Sequence, residues 1–220
     1  MSGKTKSWLL EKKIIAIVRG LAPDKLADLA NALMQGGIAC IEVTFQQNKP
    51  ETWKETANGI AGIAKTFGDN VLAGAGTVLS TEQVQMAFDA GARYIISPNF
   101  DADVIKKTKE LGLVSMPGCL TPTEIVAAYK AGADIIKVFP ASVLGPDYIK
   151  AIRAPISHIP LSAVGGITVD NAKEYLKAGC CGIGVGGNIV NKEWIETGAF
   201  EKIIALAEDY VSVVNEGSGK

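Results

Sequence analysis

Two charged residues stand where charge is costly. Lys137 lies in the apolar run Asp134-Ile135-Ile136-Lys137-Val138-Phe139, where a period of two puts Ile135, Lys137 and Phe139 on one face. Glu42 lies in Ala39-Cys40-Ile41-Glu42-Val43-Thr44, on the same face as Cys40 and Thr44. An ammonium buried in a strand is destabilised unless it gives up its proton, and a lysine with a depressed pKa is a nucleophile toward carbonyls. A carboxylate sharing its cavity can move protons, so the pair suits imine chemistry: amine addition, dehydration, and carbon–carbon cleavage or formation. The plainer alternatives are a lysine that snorkels to a wet rim and a buried structural ion pair, although such pairs rarely stabilise a fold more than apolar packing does.

Further polar and glycine positions cluster at the ends of other apolar runs. Arg19 closes Ile14-Ile15-Ala16-Ile17-Val18-Arg19 and can fork onto a carboxylate or phosphate, the alternative being a solvated rim charge. Thr77 follows Gly74-Ala75-Gly76 and can offer a hydroxyl and a backbone N–H to a carboxylate, or can merely pack the loop. Gly165-Gly166 and Gly186-Gly187-Asn188 follow the last two apolar runs. Glycines there let backbone N–H groups approach phosphate oxygens, while ordinary tight turns use the same residues. His158, the single histidine, precedes a run and is expected at the floor or surface. With no second histidine, no clustered cysteines and no paired-carboxylate spacing, a catalytic metal is not expected.

The elements that must position these residues repeat. Eight strand candidates occur at 14–18, 39–44, 71–76, 93–97, 113–117, 134–139, 161–164 and 182–185. Their spacing of roughly 24 residues fits a strand, an amphipathic helix and two short loops. The segments QGGI, AGAR, AGAD and AGCC precede the even-numbered candidates, with glycine where a helix should close in the left-handed conformation. Helix starts are marked by Thr121-Pro122-Thr123-Glu124 and by Ser80 with Gln83. Leu26, Leu29, Ala30 and Leu33 form one apolar helix face, and Phe200, Ile203, Ile204, Ala207 and Val211 another. Nothing marks the switch point of an open doubly wound sheet, so the expected fold is α/β, a closed (β/α)8 TIM barrel in a single domain over 1–220. Residues 1–12 are expected to form a capping N-terminal helix, and 216–220 a polar, disordered tail. In such a barrel the second and sixth strands face each other, which places Glu42 and Lys137 in one cavity.

Composition narrows the partners. The 220 residues carry 22 Lys and Arg against 23 Asp and Glu, a net charge of −1, so no sequence-wide field favours nucleic acid or an anionic membrane. The segment MSGKTKSW lacks the features of a secretory signal, and no apolar stretch reaches the length of about 18 residues that a span requires. A soluble, cytoplasmic protein with four reduced cysteines is expected.

With these residues in place, the chain resembles the class I 2-keto-3-deoxy-6-phosphogluconate (KDPG) and 4-hydroxy-2-oxoglutarate (KHG) aldolase family. The resemblance runs nearly end to end through IIAIVRG, GGIACIEVTF, GAGTVL, YIISPN, MPGCLTPTE, IIKVFPA, AVGGI and GIGVGGN. It implies that Lys137 forms a Schiff base, that Glu42 is the general acid/base, and that Thr77 and Arg19 hold the substrate carboxylate. Pro98 and Phe139 would wall the site, and Gly165, Gly166, Gly186 and Gly187 would bind phosphate. A cofactor-free homotrimer is implied, splitting a phosphorylated keto acid into pyruvate and glyceraldehyde 3-phosphate, with activity on 4-hydroxy-2-oxoglutarate also implied.

Departures bear on the substrate. Gln46 stands where some members have arginine, Val164 where others have threonine, and Asn188 where others have serine. The gluconate-derived acid is the first expectation and the galactonate-derived epimer the alternative, which Val164 resembles because a lost hydroxyl removes a hydrogen bond able to select the C4 configuration. A phosphosugar-binding barrel without catalysis and a barrel isomerase or epimerase are the readings from other classes. Intact Glu42 and Lys137 oppose the first, and the absence of visible acid/base pairs opposes the second.

Overall fold

The computed structural model describes residues 2–217. A helix α1 (Ser2–Lys12) leads into β1 (Ile14–Arg19), α2 (Pro23–Gln35), β2 (Cys40–Thr44) and α3 (Trp53–Phe67). Then come β3 (Leu72–Gly76), α4 (Thr81–Asp89), β4 (Tyr94–Ile96) and α5 (Ala102–Glu110). The fifth barrel position is divided into β5 (Val114–Met116) and β6 (Gly118–Cys119), followed by α6 (Pro122–Lys130) and β7 (Ile136–Val138). The chain ends with α7 (Ala141–Arg153, broken at Gly145), β8 (Leu161–Val164), α8 (Val169–Lys177), β9 (Gly182–Val185), α9 (Lys192–Thr197) and α10 (Phe200–Gly217).

The strands pair in parallel in the order β5-β4-β3-β2-β1-β9-β8-β7-β6. The order begins on one half of the fifth strand and ends on the other, so the sheet closes on itself at Pro117. Proline has no N–H to give a ladder, which is why one expected strand is two. Its carbonyl still accepts from Lys137 N at 3.0 Å, and Ser115 O accepts from Asp134 N at 3.0 Å, carrying the seam across the break. The barrel is therefore eight-stranded, with β2 and β7 its second and sixth staves.

Local chemistry explains the outer ring. Gly37, Gly91, Gly132 and Gly179 have φ of 91°, 87°, 103° and 105°, so the repeated glycines close helices as expected. At α6, Thr121 Oγ1 accepts from Glu124 N while Glu124 Oε2 accepts from Thr121 N at 2.8 Å, a complete capping box. Leu26, Leu29, Ala30 and Leu33 are all buried against the barrel, as are Ile203 and Ala207 on α10, with Phe200, Ile204 and Val211 packed beside them. The expected tail is a correction: 216 and 217 continue α10, and 218–220 lie outside the described residues.

Inside the barrel the period of two sorts residues by height. Ile15, Cys40, Leu72, Tyr94, Val114 and Ile135 join Leu9 of α1 in an apolar cluster at the floor. Two residues further along the strands, toward their carboxyl ends, the same inward face carries Ile17, Glu42, Gly74, Ile96, Met116 and Lys137. His158 is exposed and meets the Tyr129 ring edge-on at 5.5 Å, away from the interior. Among the described residues no helix is long and apolar enough to cross a membrane.

Candidate active site

The carboxyl ends of the strands surround a cavity of about 450 Å³, the size of a small-ligand site. All ten sequence-predicted site residues line it. Glu42 and Lys137 form its base, Arg19, Thr77, Pro98 and Phe139 its walls, and the two glycine pairs, Gly165-Gly166 and Gly186-Gly187, one side of its rim. Ile17, Val164, Ile167, Gly184 and Asn188 complete it.

Glu42 is 2% exposed and Lys137 6%, so neither head group snorkels to a wet rim. Among the described residues they form no ion pair with each other, and Glu42 Oε2 has no hydrogen-bond partner. Burial pushes the Glu42 carboxyl above the usual carboxylate range, with Lys137 and Arg19 pulling it part of the way back. Burial pulls Lys137 below the ordinary lysine value; Glu42 opposes that and Arg19 adds to it. The Lys137 Nζ stands 4.7 Å from the centre of the Phe139 ring, which bounds its freedom on the open side. The space for these groups comes from missing side chains. A Cβ on Gly76 would stand 1.7 Å from Glu42 Oε1, and one on Gly74 would meet the Tyr94 ring at 2.2 Å.

Arg19 Nη2 approaches Thr77 Oγ1 at 3.5 Å, joining the two residues expected to hold a carboxylate. Thr77 has φ of 53°, a conformation that costs a β-branched residue about 1–3 kcal/mol. Gly165 and Gly166 have φ of 97° and 71°. Their carbonyls are tied into the protein, Gly165 O accepting from Ser142 N at 3.1 Å and Gly166 O from Asn171 Nδ2 at 3.0 Å. Because each peptide is planar and trans, the N–H groups of Gly166 and Ile167 point the opposite way. Beyond them α8 begins with a capping box between Thr168 and Asn171.

Some side-chain placements are not legible in the sequence. Gln46 does not line the cavity; its carboxamide lies against Gly20, 3.7 Å from where a Cβ would stand. Gln83, expected to complete a capping box with Ser80, receives only half of one: Ser80 Oγ accepts from Gln83 N at 3.3 Å, while the Gln83 side chain turns to Leu79 N and Gln47. The cysteines are free, and burial pushes Cys40, Cys119 and Cys180 up to about 12 and Cys181 to about 11, which leaves no thiolate near neutrality. Among the described residues no group of three or more His, Cys, Asp or Glu is placed to hold a metal ion.

A parallel eight-stranded barrel with a buried lysine and carboxylate at the carboxyl ends of opposite staves defines a class of barrel suited to amine–carbonyl chemistry. The family model described as KDPG and KHG aldolase matches residues 5–206. The chain is 38% identical over 183 residues to 2-dehydro-3-deoxy-6-phosphogalactonate aldolase of Escherichia coli strain K12, covering 83% of this chain and 86% of that one. It is 34% identical to 2-dehydro-3-deoxy-phosphogluconate aldolase of Treponema pallidum strain Nichols over 92% and 93% of the two chains. A solved KDPG aldolase from Legionella pneumophila, with pyruvate captured as a covalent carbinolamine intermediate, superposes with a TM-score of 0.83 at 27% identity, covering 92% of this chain and 96% of that one. The chain belongs to the KDPG and KHG aldolase family; it is a class I aldolase, a carbon–carbon lyase.

Proposed function

We propose that this aldolase cleaves 2-dehydro-3-deoxy-6-phosphogalactonate to pyruvate and glyceraldehyde 3-phosphate, with Lys137 as the imine-forming nucleophile. Neutral Lys137 Nζ adds to C2 of the keto acid, and Glu42 supplies the proton with which the carbinolamine oxygen leaves as water. Glu42, now a carboxylate, takes the C4 hydroxyl proton. The C3–C4 bond breaks, its electron pair passes into the iminium, and glyceraldehyde 3-phosphate departs from the enamine. Glu42 returns the proton to C3, and water hydrolyses the imine to free pyruvate. Thr77 and Arg19 hold the C1 carboxylate, Pro98 and Phe139 flank the chain, and the N–H groups around Gly165, Gly166, Gly186 and Gly187 receive the phosphate. The carbinolamine held by the Legionella enzyme supports the first step.

The observation that carries the choice of epimer is Val164. It is 6% exposed, and its methyls approach Ile17 across the bare backbone of Gly184, where an added Cβ would meet Val164 Cγ2 at 2.9 Å and Ile17 Cδ1 at 3.2 Å. A substrate hydroxyl turned toward that wall loses its hydrogen bond to water and gains none, so the wall selects the opposite C4 configuration. The gluconate-derived acid is the first expectation from the sequence; the E. coli galactonate relative at 38% identity, against 34% for the gluconate one from Treponema, supports the reverse order. We further propose a cytoplasmic homotrimer, for which light scattering should give three times the mass of one chain.

Borohydride reduction with pyruvate, followed by peptide mapping, should place a pyruvyl adduct on Lys137; an adduct on another lysine, or none on folded protein, removes the nucleophile. Turnover of the two pure epimers tests the substrate. The galactonate-derived acid should have the higher kcat/KM, and Val164→Thr should move the ratio toward the gluconate-derived acid by about tenfold. An unchanged ratio would show that this wall does not read C4.

A further inference from the structure

Thr77 holds an unfavourable backbone conformation, and two glutamines outside the cavity bind the backbone beside it. Gln83, on the first turn of α4, is 0% exposed, and Gln47, in the loop after β2, is half-buried. Their carboxamides pair reciprocally, Gln47 Nε2 donating to Gln83 Oε1 at 3.2 Å and Gln83 Nε2 to Gln47 Oε1 at 3.1 Å. The second hydrogen of Gln47 Nε2 goes to Thr77 O at 2.5 Å, and Gln83 Oε1 also accepts from Leu79 N at 2.7 Å. The backbone partners fix both amide orientations, since a carbonyl can only accept and an N–H can only donate.

The pair therefore grips the chain on both sides of Val78. With the Thr77 carbonyl held by Gln47 and Leu79 N held by Gln83, the two peptide planes that follow Thr77 are fixed from α4 and the loop after β2, while Phe45 N holds the Gly76 carbonyl before it at 2.9 Å, so the φ of 53° lies between planes fixed on both sides. The consequence is the position of Thr77 Oγ1 within the cavity, 3.5 Å from Arg19 Nη2.

We propose that Gln47 and Gln83 are positioning residues that hold Thr77 in its strained conformation, and so set the affinity of the site for the substrate carboxylate. The proposal rests on the reading of Thr77 as a carboxylate ligand. Neither glutamine lines the cavity, so neither touches the substrate. A pair serving only to fasten α4 would affect melting and leave substrate affinity alone.

The test is steady-state kinetics on the full chain with the phosphorylated keto acid, using Gln47→Ala, Thr77→Val and the double variant. Gln47→Ala removes a half-buried side chain and leaves Leu79 N satisfied by Gln83, so the fold should persist. Its KM should rise about tenfold while kcat falls by less than about twofold, the pattern of lost binding shared by ground and transition states. Thr77→Val should also raise KM, and adding Gln47→Ala to it should raise KM by less than about twofold more, because the residue being positioned has lost its hydroxyl. An unchanged KM in Gln47→Ala after Thr77→Val has raised it overturns the positioning role and leaves the carboxylate reading standing. Fully multiplicative effects in the double variant do the same. An unchanged KM in Thr77→Val overturns both.

Discussion

Lys137 and Glu42 each lie within an apolar barrel strand, and each has its charged form disfavoured there by burial. For Glu42 the folded state binds its proton more tightly than the unfolded chain, so the stability this contributes is present at low pH and is lost as pH rises from about 4.5 through the raised folded value. Glu42→Gln is therefore expected to raise Tm at neutral pH while cutting turnover about 10²–10⁴-fold, the usual worth of a general acid/base. The substitution also removes the negative charge that holds the Lys137 pKa up. The pH midpoint for borohydride trapping of pyruvate should thus move down, and a midpoint that moved up would contradict the sign of the coupling between the two groups. Both residues were legible in the sequence because a charge inside a strand of period two breaks the pattern. Gln83 was not, because a glutamine three residues after a serine reads as a helix cap until the partner of its carboxamide is known.

Among the elements, the strands were visible as runs of apolar residues and the helix ends as glycines, since each follows from local preference. The split of the fifth strand at Pro117 and the shape of the cavity floor were not, because they depend on what lies across the barrel. Gly76 is such a case: it ends β3 without any turn requiring it, and its missing side chain is the space taken by the Glu42 carboxylate. Gly76→Ala forces either that carboxylate or the strand to shift. Turnover should fall at least about 10²-fold, as displacement of a catalytic group by about 1 Å does. Overpacking of about 1–3 kcal/mol should accompany it. Gly62 on α3, with nothing within 4 Å of an added Cβ, is the control; Gly62→Ala should gain about 0.5–1 kcal/mol from helix propensity with turnover unchanged. Equal turnover losses in the two variants would mean that the close contact at Gly76 has no part in placing Glu42.

Across the whole molecule, one inward face of the barrel serves two purposes at two heights. The floor cluster around Ile15, Cys40, Leu72, Tyr94 and Ile135 is closed from below by Leu9 of α1, which is 5% exposed, while Glu42, Lys137 and the glycine loops lie at the carboxyl ends. The barrel closes at a proline, where Lys137 N still binds Pro117 O at 3.0 Å. If the floor contributes stability and the mouth contributes chemistry, the two should separate under mutation. Leu9→Ala should cost about 2–5 kcal/mol, a range set by how far the floor can collapse around the lost side chain. In a chain of this length that lowers Tm by roughly 2–4 °C per kcal/mol. Well below the new melting transition, kcat and KM should match the parent, because no floor residue except through its own strand reaches the cavity. A Leu9→Ala protein that is fully folded yet slow would mean that the floor packing also sets the height of Lys137, whose strand neighbour Ile135 belongs to that cluster. In that event the separation of stability from catalysis along the barrel axis would not hold for this chain.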